Sequence, residues 1–255
     1  MCIHILLPIA SALFLLESII VLAHNFPWIV RLWRLRVHHL RLFRDDLPIL
    51  IVSDIHLGNR DSLGKDVLRI ASKYGFHTLV IAGDLLDKRT LFSDKIFDLL
   101  EKFLVGSIRN VFYVPSSSSH DIEPLPTGPI SRQFNGKRVV VVPEVLALSV
   151  DGCVGSLYIT HGDYSSRNGV LAHIIDAITL KVFSKPFTGT ILRKVLETGN
   201  VDWVIHGHSH LAVHSQKLRI VDTGCWVKRP HESMQRAFAV ATCRNGVMEV
   251  DLLRI

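Results

Sequence analysis

The chain has no Cys-x-x-Cys pair. Its four cysteines, Cys2, Cys153, Cys225 and Cys243, stand far apart in a sequence of 255 residues. Neither a redox or zinc spacing nor the density of a disulfide-built small scaffold is present, so the thiols are expected reduced and mostly buried, as in a cytosolic compartment. No Lys or Arg precedes the apolar run Ile3 to Ala23, which argues against a secretory signal peptide. Basic excess is also missing from most of the chain. The net charge is +6, but Arg31, Arg34, Arg36, Arg41 and Arg44 fall in one stretch that holds no acid, and without these five the excess drops to one. A general nucleic-acid binder would spread its charge over the domain.

What is present begins with that apolar run. Its polar interruptions are His4, Ser11, Glu17 and Ser18, and its hydropathy of roughly 2 over a standard window suits a membrane span. Trp28 and Trp33, interleaved with arginines, suit the headgroup region, and the positive-inside bias places the domain after them in the cytoplasm. Glu17 argues the other way, because a mid-span acid costs a few kcal/mol. The alternatives are an apolar helix packed on a soluble cytoplasmic domain, or one lying flat on the bilayer. Residues 1–46 are thus read as a hydrophobic segment and basic linker, with possible membrane association through residues 1–30, and residues 47–255 as one α/β domain.

The domain is organised around Ile49-Leu50-Ile51-Val52-Ser53-Asp54-Ile55-His56. Pro48 can only start a strand, and four apolar residues then run into a carboxylate and an imidazole on the same side. Burying both without a partner is costly, and a divalent cation is the economical partner. The design recurs. His77 to Ile81 leads into Gly83-Asp84 and Asp87, Val111 to Val114 into Ser118-Ser119-His120-Asp121, Leu157 to Thr160 into His161-Gly162-Asp163, and Val201 to Ile205 into His206-Gly207-His208-Ser209-His210. Five apolar strands each deliver Asp or His at the carboxyl end, where open α/β sheets place their ligands.

The ordered set D-x-H, G-D-x-x-D, His-Asp, H-G-D and G-H-S-H resembles the calcineurin-like metallophosphoesterase superfamily, over roughly Leu47 to Ile255. The H-G-D and the short spacing are most similar to the branch that includes UDP-2,3-diacylglucosamine pyrophosphohydrolases. The resemblance implies two divalent ions, Mn²⁺ first with Fe or Zn as alternatives. It implies that Asp54, His56 and His210 hold one, that Asp84 bridges, and that His161 and His208 hold the other. His120, oriented by Asp121, would act at the leaving oxygen while a metal-activated hydroxide attacks phosphorus. Ser119 stands where the superfamily has an Asn ligand, so the second ion is expected to be weaker, shifted or completed by water. Asp163 is expected to orient His161.

Around these motifs, Arg60 to Tyr74 and Leu91 to Val105 carry helical apolar spacing, the second with Ser93 as cap. Pro115 to Lys137 reads as a long surface loop. Arg138 to Val142, Val145 to Val150 and Leu218 to Val221 read as strands, and Ala237 to Cys243 with Val247 to Leu253 as a hairpin turning at Asn245-Gly246. About ten strands beside few helices fit two stacked mixed β-sheets flanked by helices, which the resemblance also implies. Tyr164 to Asn200 holds two helices of apolar and basic residues. They either receive an acyl or isoprenoid chain beside a phosphate or simply pack on the sheet. Lys88, Arg89 and Arg167 are candidate substrate-phosphate contacts. The expected function is hydrolysis of a phosphoester or diphosphate in a phosphorylated small molecule or lipid-linked substrate. The alternatives are a nuclease or cyclic-nucleotide phosphodiesterase, and a catalytically weak scaffold of the same fold.

Overall fold

The computed structural model describes residues 34–117, 120–228 and 236–255. The proposed hydrophobic anchor and Ser119 lie outside the described residues. Among those described, no helix is long and apolar enough to cross a membrane.

Fifteen strands and four α-helices are present among the described residues. A seven-stranded mixed sheet contains β2 (Ile49–Val52), β3 (Thr78–Ile81), β5 (Asn110–Tyr113), β7 (Ile130–Phe134), β8 (Lys137–Val141), β14 (Ala237–Arg244) and β15 (Val247–Arg254), ordered β15-β14-β2-β3-β5-β8-β7. A six-stranded mixed sheet contains β1 (Val37–Leu42), β9 (Val145–Val150), β10 (Leu157–Ile159), β11 (Trp203–His206), β12 (Ala212–Ser215) and β13 (Ile220–Thr223), ordered β1-β9-β10-β11-β13-β12. Two short strands, β4 (Thr90–Leu91) and β6 (Ile122–Glu123), pair beside them.

The alternation of side chains explains why the central strands are apolar throughout. Ile49 and Ile51 point between the sheets, into a cluster with Leu146, Leu148, Ile159, Trp203 and Ile205. Leu50 and Val52 point outward, onto Val67 and Ile70 of α1 (Gly64–Lys73) and Phe97 and Leu100 of α2 (Asp94–Glu101). Strands buried on both faces need no polar positions. On the outer face of the six-stranded sheet, Val204 and Ile220 meet Leu192 of α4 (Phe187–Val195). The remaining helix, α3 (Gly169–Phe183), packs on α4 rather than on the sheet. The result is an α/β fold of two mixed sheets flanked by helices, as the strand count and resemblance implied.

Several expectations need correcting. The stretch read as a loop from Pro115 to Lys137 contains β6 and β7, because β7 carries alternating exposed residues on a sheet edge that shows little apolar signal. Part of the basic linker is β1, paired in parallel with β9 from Val37–Val145 to Leu42–Val150, so sheet structure starts before residue 47. Ser93 occupies the cap position of α2 but makes no side-chain capping hydrogen bond. The cysteines also depart from expectation. Cys153, after β9, and Cys243, in β14, form a disulfide with Cα atoms 6.0 Å apart and a sequence separation of 90. Local spacing carries no trace of such a pairing, and with it goes the premise for a reducing compartment. Cys225 is free and buried, as expected.

The inter-sheet cluster sets stability. Leu148→Ala, at a fully buried site, should lower unfolding free energy by about 2–5 kcal/mol in urea titration, whereas Val154→Ala, at a site 58% exposed, should stay within about 0.5 kcal/mol.

Candidate metal centre

The site forms where β2, β3 and β5 of one sheet and β10 and β11 of the other end together. β2, β3 and β5 run parallel in register, and β10 runs parallel to β11, so the loops after them leave from one edge of the sandwich. Backbone hydrogen bonds then cross-link those loops: His56 N–H donates to Asp84 O at 2.9 Å, Asp54 N–H to Gly83 O at 3.1 Å, and Gly207 N–H to His161 O at 2.9 Å.

The loops are strained. Asp54, His56, Asp84, Asp121, His208 and His210 all have positive φ, between 47° and 76°. Each such residue costs on the order of 1 kcal/mol or more, and clustering of this kind belongs to sites where geometry serves function. Glycines make the approach possible. A Cβ on Gly207 would lie 2.2 Å from both Asp54 Oδ2 and Ser53 Oγ, and one on Gly83 would lie 2.5 Å from the His161 ring.

Six predicted ligands converge here. Asp54, His56 and His210 form one group with ligand atoms within 4.8 Å of one another, and Asp54, Asp84 and His161 form another. His56, Asp84 and His120 form a third, so Asp84 belongs to two of the three. His161 Nε2 is 3.4 Å and His56 Nε2 3.8 Å from Asp84 Oδ2, and His210 Nε2 is 3.1 Å from Asp54 Oδ1. His56 Nε2 and Asp84 Oδ1 are buried without a hydrogen-bond partner.

The imidazole tautomers are decided by carbonyl groups, which can only accept. His161 Nδ1–H donates to Ala82 O at 3.0 Å, leaving Nε2 with its lone pair. His208 Nε2–H donates to Ser166 O at 2.7 Å, leaving Nδ1 with its lone pair. Those two free nitrogens face each other at 3.2 Å. Neutral rings would repel there, so a positive charge must sit between them or on one of them. Electrostatics agree. Burial alone would raise the pKa of Asp54 and Asp84, yet His161 with His210, and His161 with His56, respectively hold both well below the carboxylate range. Burial opposes protonation of His161, but Asp84 and Asp54 push its pKa well up, whereas burial brings His208 down to about 4. The centre attracts positive charge, and a divalent cation fits the donor set.

Other residues sit differently from expectation. Asp121 does not orient His120. Its carboxylate accepts the N–H groups of Asp84, Leu86 and Ser116 at 2.6, 2.9 and 2.9 Å and so braces the Asp84 loop, with its pKa pushed up to about 6 by burial and by Asp84. His120 is held instead by Nδ1–H to Asp87 O at 2.7 Å. Asp163 does not orient His161 either, because it accepts Ser117 N–H and Oγ–H at 2.7 and 2.8 Å. His206 is buried beside Asp222, 3.5 Å away, as a supporting group.

Above the centre lies a cavity of about 560 Å³, lined by His56, Asp84, His120, His208 and His210 and, at its rim, by Arg167. Lys88 and Arg89 do not line it. Lys88 is exposed, and Arg89 pairs with Glu123 at 2.5 Å. Sequence reasoning missed Asn59, His173 and Lys228 in the lining. Asn59 donates to Asp87 Oδ1 at 2.9 Å, and His173 Nδ1–H to Ser209 O at 2.8 Å. Only the position of Asn59 three residues after His56 could have drawn attention to it.

A strand-edge cluster of this composition on a four-layer sandwich defines a metal-binding phosphoesterase-like domain. Residues 47–212 match the Calcineurin-like phosphoesterase family, and the chain belongs to it. The family uses divalent metals. No curated protein matches the chain. Among solved structures, zinc-bound Vps29 of Entamoeba histolytica aligns at TM-score 0.40 and 11% identity, over 82% of this chain and 99% of that one. A predicted phosphoesterase of Streptococcus pneumoniae aligns at 0.40 and 14%, over 81% and 97%. A novel archaeal phosphodiesterase aligns at 0.38 and 12%, over 81% and 100%.

Gly207→Ala should displace the Asp54 carboxylate and weaken Mn²⁺ binding by about 10–100-fold in calorimetric titration, whereas Gly128→Ala, where a Cβ meets no atom within 4 Å, should leave it unchanged.

Proposed function

We propose that the chain is a divalent-metal-dependent hydrolase of phosphoester or diphosphate bonds. The observation that carries this reading is the convergence of Asp54, His56, Asp84, His161, His208 and His210 on one buried locus beneath an open cavity. Asp54, His56 and His210 would hold one ion, His161 and His208 a second, and Asp84 would lie between them, with Mn²⁺ the first choice and Fe or Zn the alternatives. When bound, such ions stabilise charge on phosphoryl oxygens and lower the pKa of water.

The chain's own residues supply the rest. Ala82 O and Ser166 O fix the ring orientations of His161 and His208, and Asp121 fixes the Asp84 loop, so the ligands are held in place before any ion arrives. The His120 Nδ1–H is committed to Asp87 O, which leaves Nε2 facing the cavity as the nitrogen that, in the imidazolium form, would deliver its proton to a leaving oxygen and keep the Nδ1 proton. Arg167 at the rim suits an anionic phosphate.

A substrate that joins a phosphate to an apolar group accords best with the walls. Val170, 66% exposed, is an apolar member of the cavity lining, and a lipid-linked or nucleotide diphosphate of the kind cleaved in the UDP-2,3-diacylglucosamine branch would use it together with the charged centre. The near-neutral charge outside one arginine run disfavours a nuclease.

Purified protein loaded with Mn²⁺ should hydrolyse bis(p-nitrophenyl) phosphate. Asp84→Asn should abolish turnover together with metal retention, and His120→Ala should keep the metal while lowering kcat by about 10²–10⁴-fold. Protein that retains no metal and cleaves no phosphoester would contradict the proposal and favour the scaffold.

A further inference from the structure

The helical pair after the H-G-D motif does not bury its apolar residues in the way an ordinary cap helix would. α4 meets the sheet through Leu192, while α3 is the outer helix, tied to α4 by Asp176, which is buried and accepts Thr188 N–H at 2.8 Å. Along α3, Val170, Ile174, Ile178 and Val182 recur every four residues and are 66%, 48%, 55% and 62% exposed, with Leu171 and Phe183 beside them. Four-residue spacing puts them on one face, and an exposed apolar strip along a whole helix calls for a partner surface.

The charges around the strip say what kind. From Gly169 to Glu197 the acids are Asp176, which is inside, and Glu197 just past α4, while Lys181, Lys185, Arg193 and Lys194 are the lysines and arginine and the three lysines are exposed. Leu35 packs with Tyr164, Leu192, Val204 and Ile220 beneath α4, so the first described residues meet the fold next to this helical pair. Finally, the strip starts at the cavity, because Gly169, Val170 and His173 line it and His173 Nδ1–H donates to Ser209 O between His208 and His210.

We infer that the exposed face of α3 docks into an anionic lipid bilayer, with Ile174, Ile178 and Val182 in the acyl boundary, the lysines among the headgroups, and the cavity mouth turned to the membrane surface. A second copy of the chain, or residues 1–33 folded back over α3, would cover apolar area equally well, but neither gives a use for the exposed Lys181 and Lys185 beside the end of the strip. The docking requires no step of the hydrolysis, so its test reads lipid contact rather than turnover.

The test places a reporter in the strip of the full chain. Ile178→Trp should show the fluorescence of a water-exposed indole alone. With phosphatidylcholine–phosphatidylglycerol vesicles brominated on the acyl chains, its emission should shift to the blue and be quenched beyond the parent protein's four tryptophans. The triple variant Ile174→Glu, Ile178→Glu, Val182→Glu should bind such vesicles at least ~10-fold more weakly in flotation, with bis(p-nitrophenyl) phosphate hydrolysis within about two-fold of the parent. Three results would overturn the inference. An indole already shielded without vesicles at every protein concentration would mean that residues 1–33 cover α3. One shielded only as concentration rises would mean a second copy, and one that stays exposed on vesicle-bound protein would mean that another segment makes the lipid contact.

Discussion

Two ionised carboxylates, Asp54 and Asp84, are buried within one small volume, and two imidazole lone pairs, on His161 and His208, are aimed into the same place. That arrangement is unfavourable unless positive charge enters it. Burial opposes each ionised carboxylate, and the surrounding imidazoles, His161 foremost, favour the charged form of both. The surrounding backbone has little choice of conformation, because six non-glycine residues in the left-handed region and close approaches at Gly83 and Gly207 leave no slack to separate the groups. Strain of this kind persists only when the rest of the fold over-determines it. Here the inter-sheet cluster supplies that determination, since it aligns the ends of five strands from which every ligand loop departs.

Much of this was legible in the sequence because it is local. An apolar run ending in Asp-x-His or Gly-His-Ser-His announces both a strand and the group at its end, and the strands at Ile49, Thr78, Asn110, Leu157 and Trp203 lie where the runs predict. The hairpin at Asn245-Gly246, with φ of 52° and 75°, follows from turn chemistry alone. Interactions between distant segments were not legible. Asp121 and Asp163 each stand within two residues of the histidine they were expected to orient, yet both bond elsewhere, to groups that include backbone N–H donors 35–46 residues away. The Cys153–Cys243 link and the pairing of β1 with β9 are hidden for the same reason. His173, one of fourteen histidines, gave no local sign of reaching the cavity.

The surface has its own logic, distinct from that of the centre. Apolar residues in helices usually report a packed face, and for α1, α2 and α4 they do. In α3 the same composition faces outward, because α4 already occupies the sheet and leaves α3 a single side to bury. α3 thus presents an exposed apolar face beside the mouth of the cavity, separate from the candidate metal ligands at its base.

The central claim is that the gap between Asp84, His161 and His208 is built for a cation. Crystals grown with Mn²⁺ and measured at the manganese absorption edge address it directly. The expected result is an anomalous peak coordinated by the Asp84 carboxylate, His161 Nε2 and His208 Nδ1. Crystals that show no peak there, with the two imidazoles still facing each other across a shared proton, would contradict it.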